Sequence, residues 1–254
     1  MHEPLERLDG QVAVIAGGTG AIGLATAKRL ARRGCTCVLL HRRDDAQAQQ
    51  HLASLPAVPG TGHGALRADI VDSASLRAAA AAVQERWKRC DILVNSAGFT
   101  KPVPAADLEA LDDELIDRLM QANFRGVVAT IRAFVPLLRQ SGQALVANVS
   151  SIAAFTSNGS NLAYVGAKAA LDAVGDGLAR ALAPEIRVVS VSPGVVESGF
   201  VPGRGADFNA RTAAGTPLRR VGQPDDVAAA IEALATSMRF VTGTRLVIDG
   251  GRHL

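Results

Sequence analysis

The chain of 254 residues carries 27 basic and 24 acidic side chains, a net charge of +3, and 48% hydrophobic residues. So much apolar material excludes a disordered chain, and the length suits one large α/β domain, 1–254, with an ample core. With one Trp, one Tyr and charges spread along the sequence, no basic stripe or stacking surface for nucleic acid is expected.

Residues 1–10 include Glu3, Glu6, Arg7 and Asp9 and no apolar stretch, so neither a signal peptide nor a membrane anchor is expected. The apolar run 12–16 reads as a buried strand, followed at once by Gly17, Gly18, Thr19, Gly20, Ala21, Ile22 and Gly23 and a helix over 22–33. Glycines between a strand and a helix let the backbone turn tightly and approach a pyrophosphate, whose charge suits free amides at a helix N-terminus. Dinucleotide binding is the expectation.

The next strand, 35–40, contains Cys35 and Cys37. With Cys90 they make three, which read as reduced core residues of a cytoplasmic protein rather than disulfides or metal ligands. The five histidines show no ligand spacing, so no metal is expected. After the second strand, where NAD-selective sites place a carboxylate on the adenosine ribose, stand His41, Arg42 and Arg43. Two guanidiniums with no acid to repel a 2′-phosphate favour NADP over NAD. The alternative is that Asp44 and Asp45 pair with them as ordinary surface residues.

A weak strand ends at Ala68, before Asp69 and Ile70, and helix 75–87 and strand 92–94 follow. A long helical pattern over 111–139 contains Asn123, strand 145–149 leads into Ser150 and Ser151, and helix 162–183 carries Tyr164 and Lys168. Strand 188–191, a Gly- and Pro-rich loop over 192–217, helix 225–237 and strand 246–248 complete the series. Near-continuous apolar strands alternating with helices predict a seven-stranded parallel sheet, doubly wound in the Rossmann manner with helices on both faces. The loop is long enough to suggest a substrate lid around 193–217.

Residues four apart share a helix face about one turn, roughly 6 Å, along the axis, so Tyr164 and Lys168 can serve one site. A cation at that distance favours the phenolate by about 2.8 kcal/mol at a dielectric of ~20, enough to bring the phenol roughly two pH units toward neutrality. Such a tyrosine could exchange protons with a substrate.

These residues resemble the short-chain dehydrogenase/reductase family from the first strand to the last. Tyr164 and Lys168 resemble its YxxxK, Ser151 stands thirteen residues earlier at the position of its catalytic serine, and Asn123 matches the asparagine that completes the tetrad. Asn95, Ser96, Ala97 and Gly98 resemble NNAG, Asp69 and Ile70 an adenine-contacting pair, Pro193 and Gly194 the nicotinamide flank, and Asp249, Gly250 and Gly251 a C-terminal signature.

The resemblance implies an oxidoreductase moving a hydride between NADP(H) and a ketone or secondary alcohol. Tyr164 would be its acid/base, Ser151 the hydrogen-bond donor to the carbonyl, and Lys168 a ligand of the nicotinamide ribose. Asn123 would bend its helix and support proton supply, with Val196 and Ser198 among further cofactor contacts. A homotetramer or homodimer built on the long helices is also implied.

Ser150 remains an alternative to Ser151, a purely structural bond an alternative role for Asn123, and helix capping an alternative for Asp69. Phe99, Ala153, Phe155, Phe200 and Val201 are expected around an apolar or partly apolar substrate. Ala16 stands in place of the usual threonine, removing a hydroxyl that would tie the glycine turn to a neighbouring strand. The segment 217–228 resembles one found in 3-oxoacyl-carrier-protein reductases, which are the narrower alternative. A cofactor-binding regulator without catalysis is the rival from another class.

Overall fold

The computed structural model describes residues 6–254. Residues 1–5, which belong to the stretch expected to lack a leader, lie outside them. The elements run β1 (Val12–Ala16), α1 (Ala21–Arg32), β2 (Thr36–His41), α2 (Asp45–Ala53), β3 (Gly64–Arg67), α3 (Ser73–Arg86) and β4 (Ile92–Asn95). The second half runs α4 (Asp113–Met120), a π-helical turn (Gln121–Arg125), α5 (Gly126–Ser141), β5 (Ala144–Val149), α6 (Ala153–Thr156), α7 (Leu162–Leu182), β6 (Ile186–Pro193), α8 (Ala206–Ala214), α9 (Pro224–Ala235) and β7 (Thr244–Ile248).

The seven strands form one sheet in the order β3-β2-β1-β4-β5-β6-β7, every pairing parallel. This is the doubly wound Rossmann arrangement. Because both faces are covered, the strands need no polar alternation: Val12, Val14 and Ala16 pack toward Phe134 and Leu171, while Ala13 and Ile15 pack toward Leu30 and Ile231. On the second face Arg29 forks onto Asp225, with Nη2 2.6 Å from Oδ2, and also reaches Glu232 at 2.6 Å, clamping α1 to α9.

Two expectations need correction. The pattern over 111–139 is not one α-helix, because Asn123 turns its amide onto backbone carbonyls and the chain widens into the π turn. The loop 192–217 contains α8, whose Ala-rich sequence favours helix, and the short helix α2 was missing from the sequence reading altogether. The chain crosses from β3 at one edge to β4 in the middle, so the loops after β1 and β4 diverge and leave a crevice at the carboxyl ends of the strands.

Candidate active site

At the end of β1, Gly17 turns with φ +74°, and a Cβ there would lie 2.8 Å from the Ala97 nitrogen and Cα. Only glycine lets this turn rest against the segment after β4. Helix α1 has no side-chain cap at Gly20, so its first amides, those of Ala21 and Ile22 included, face outward without a partner of their own. Ser96 Oγ donates to the Ala16 carbonyl at 2.8 Å. That hydroxyl, one residue past β4, supplies the tie that alanine at position 16 cannot make.

The turn opens onto a cleft of about 1810 Å³. Gly17, Thr19, Gly20, Ala21, Ile22 and Gly23 line it, together with His41 at the end of β2, Arg42 after it, and Asp69 and Ile70 after β3. The loops after β4 and β6 contribute Ala97, Gly98, Pro193, Gly194, Val196 and Ser198. Ser151, Ala153, Tyr164, Lys168 and Phe200 line the same cleft, as do Phe99 and Val201. A cavity larger than the usual few hundred Å³ has room for a dinucleotide and a second small molecule. The uncapped amides and the close glycine approach fit a pyrophosphate.

Four expected residues lie outside the cleft wall. Arg43 is exposed, its carbonyl 3.0 Å from His41 Nδ1. Asn95 is buried below, its Nδ2 donating to Asn148 Oδ1 at 2.9 Å, so it joins β4 to β5. Phe155 turns away and meets His253 edge-on, ring centroids 5.7 Å apart. Asn123 sits behind Gly98, donating to the carbonyls of Phe99 at 2.9 Å and Leu119 at 3.0 Å. Its Oδ1 has no partner among the described residues.

Local contacts bear on several alternatives left by the sequence. Asp44 caps α2 by accepting the Gln47 amide at 2.8 Å, and Asp45 lies 3.7 Å from His41 Nε2 and 3.8 Å from Arg67 Nε. Neither acid is spent on Arg42 or Arg43. Asp72 caps α3, whereas Asp69 accepts the Val71 amide at 3.1 Å. Ser150 faces Asp172, and Ser151 faces Tyr164.

Helix α7 begins at Asn161, whose Oδ1 accepts the Tyr164 amide at 2.7 Å while its Nδ2 donates to the Lys101 carbonyl at 2.8 Å. This cap fixes where the tyrosine starts its helix. One turn later Lys168 Nζ lies 5.7 Å from the Tyr164 ring centroid and donates to the Val149 carbonyl at 2.8 Å.

The electrostatics differ from the sequence expectation. Burial of the phenol pushes the Tyr164 pKa up to about 12, with Ser151 and Arg204 drawing it back only partway. Burial likewise brings the Lys168 ammonium down to about 8, against the opposing charge of Asp172. The pull toward neutrality expected from the spacing is not what the folded environment gives: loss of water around the phenolate dominates, and the groups that oppose it are Ser151 and Arg204.

Sequence reasoning missed Arg204 in the loop before α8 and Arg252 near the end of the chain, both of which line the cleft. A charged residue between Gly203 and Gly205 in a loop already suspected of covering substrate was the available signal. Among the described residues no helix is long and apolar enough to cross a membrane, and no three His, Cys, Asp or Glu side chains gather as for a metal ion.

Comparison with known proteins agrees with this geometry. The family described as enoyl-(acyl carrier protein) reductase matches residues 16–253. The chain is 34% identical over 263 residues to the rhamnolipids biosynthesis 3-oxoacyl-[acyl-carrier-protein] reductase of Pseudomonas aeruginosa, covering 100% of each chain. It is 33% identical over 245 residues to cis-4-hydroxycyclohexanecarboxylate dehydrogenase of Sinomonas cyclohexanicum, covering 95% of this chain and 96% of that one. A solved structure of a short-chain dehydrogenase/reductase, glucose/ribitol dehydrogenase, from Brucella melitensis superposes with a TM-score of 0.90 at 27% identity, covering 99% of this chain and 100% of that one.

Proposed function

Since the chain belongs to the short-chain dehydrogenase/reductase family of NAD(P)-dependent oxidoreductases, we propose that it is an NADP(H)-dependent reductase of ketones, or in reverse a dehydrogenase of secondary alcohols, with Tyr164 as acid/base. The observation that carries this reading is the gathering of Ser151, Tyr164 and Lys168 on the wall of a cleft that the glycine turn also lines.

The bound cofactor would supply or accept the hydride. The protein's part is to hold the carbonyl and manage its proton. Ser151 donates to the carbonyl oxygen and steadies the charge that develops there. Tyr164, with its pKa up at about 12, is neutral at physiological pH and gives its proton to that oxygen. Lys168 is anchored on Val149 with protons left for ribose hydroxyls, and Asn123 holds the π turn that shapes the wall behind Gly98.

Arg42, lining the cleft with no acid partner among the described residues, is the residue we assign to a 2′-phosphate, and NADP is accordingly the preferred cofactor. Segment 193–217 acts as the lid of a single domain. The outer face of α7 presents Gly166, Ala173 and Gly177, small enough for another helix to approach, which supports a homodimer or homotetramer. Three buried, unbonded cysteines suit a reducing compartment such as the cytoplasm.

The decisive experiment follows NADPH oxidation with a panel of small ketones in wild type and Tyr164→Phe. Turnover by wild type, reduced on the order of 1000-fold or more in the variant with NADPH affinity retained, is expected from loss of the proton donor. Cofactor binding without turnover in wild type, or undiminished turnover in the variant, would reject catalysis by Tyr164 in favour of the non-catalytic alternative.

A further inference from the structure

Arg204 lines the cleft from the lid and lays its guanidinium over Phe208, Cζ 4.5 Å from the ring centroid. Its charge reaches the Tyr164 phenol, and no carboxylate acts on it among the described residues. Arg252 lines the same cleft, near enough for the two cations to repel, and donates to the Thr212 carbonyl at 3.3 Å.

Two guanidiniums partly withdrawn from water, both positive and facing one space, are held there at a cost that an anion would relieve. The cleft's own acids do not supply it. Asp69 is taken up by the Val71 amide at 3.1 Å, and Glu197 accepts Gln223 Nε2 at 2.7 Å. Phe200, whose ring centroid is 6.1 Å from that of Tyr164, and Phe208 offer an apolar wall beside the cations.

We propose that the substrate carries an anionic group, a carboxylate or phosphate monoester, held by Arg204 and Arg252 while its carbonyl meets Tyr164. The inference rests on the reading of Tyr164 as acid/base and adds the substrate class. It replaces a merely apolar substrate with one that has an apolar stem and a charged end. A planar guanidinium pairs with either oxyanion through two N–H donors, which gives direction as well as affinity.

The test offers matched ketones to the NADPH-loaded enzyme: a keto acid against its primary amide, and a keto phosphate monoester against its methyl diester and its uncharged alcohol. Wild type should favour a charged member by on the order of 30-fold in kcat/KM, carried mainly by KM, because a charge-assisted pair is lost with the amide or alcohol. The favoured pair identifies carboxylate or phosphate. Arg204→Met should abolish most of that preference while changing turnover of the neutral ketone and the Kd for NADPH less than about threefold, and Arg204→Lys should restore part of it.

Equal turnover of charged and neutral members by wild type, an equal loss for both in Arg204→Met, or a weakened NADPH Kd in that variant would each overturn the proposal while leaving Tyr164 catalysis intact. If no carbonyl is reduced at all, the catalytic reading fails instead. Calorimetry of unreactive carboxylates, phosphate monoesters and amides on the NADPH complex then still decides whether this end of the cleft takes anions.

Discussion

Lys168 directs its ammonium at the Val149 carbonyl oxygen, 2.8 Å away, from inside a wall that leaves the side chain almost no contact with water. The bond joins α7 to the end of β5 and so fixes the cation beside Tyr164. Its pKa of about 8 lies below that of the unfolded chain, so the folded protein holds this proton less tightly. The resulting penalty is fully present below pH 8 and fades as pH rises through the window from about 8 to the unfolded value near ~10.4. Lys168→Met should therefore stabilise the fold by about 1–3 kcal/mol at pH 7, a burial penalty relieved less one hydrogen bond. Urea unfolding should show that gain shrinking by pH 10.5, with activity lost throughout.

Ketone reduction and alcohol oxidation should depend on pH in opposite ways. With its pKa raised to about 12, Tyr164 keeps its proton and stays neutral across the ordinary range, so reduction does not wait on ionisation. Oxidation needs the phenolate, whose population rises tenfold per pH unit below that value. Log kcat/KM for a secondary alcohol should climb with a slope near one between about pH 7 and 9, and a flat profile would show that another group accepts the proton.

Arg42 and Arg43 are adjacent in sequence and unequal in place, since Arg42 alone of the two lines the cleft. Arg42→Ala should weaken NADPH by ~10-fold or more, the worth of a charge-assisted pair, and leave NADH nearly unaffected. Arg43→Ala should change either by less than about threefold. Fluorescence titration of both cofactors against both variants checks this, and equal effects would show that the 2′-phosphate is read elsewhere.

Ser96→Ala removes the hydroxyl that holds the Ala16 carbonyl, at the point where the glycine turn leaves the sheet. The expected cost is about 1 kcal/mol of stability together with weaker NADPH binding, because the turn loses its anchor. Adding Ala16→Thr should recover part of both if the tie matters more than the strand it comes from.

Asn123→Leu strands the carbonyls of Phe99 and Leu119 and puts an apolar branch against Gly98. A loss of about 2–4 kcal/mol is expected from two orphaned acceptors, read as a lowered urea midpoint.

Much of this molecule could be read from residue order, and the limits were physical ones. Strands buried on both faces announce themselves as apolar runs, which is why β1, β2 and β5 fell within a residue of their places. The glycine turn was legible because its backbone demands are met by residue type alone. The π turn left no trace in the periodicity, because a side-chain amide bonds carbonyls 24 and 4 residues away, and only the resemblance placed a bend at Asn123. The phenol pKa was misjudged for a related reason: spacing gives the distance to a cation and says nothing of the water that folding removes. Arg204 escaped notice because its meaning lies in what it faces across the cleft.

The segment between β6 and α9 also separates two kinds of constraint on this chain. Val196 bridges to Gly222, and beyond it Arg204 and Phe208 lie in a stretch without a strand, so the seven-stranded sheet does not depend on them. Substitutions there can change which molecules are accepted at little cost to folding, whereas those at Tyr164 or Asn161, where the cap sets the start of α7, disturb both at once. Descendants of such a scaffold can diversify their diet by drift in that segment, with the sheet and the glycine turn left untouched.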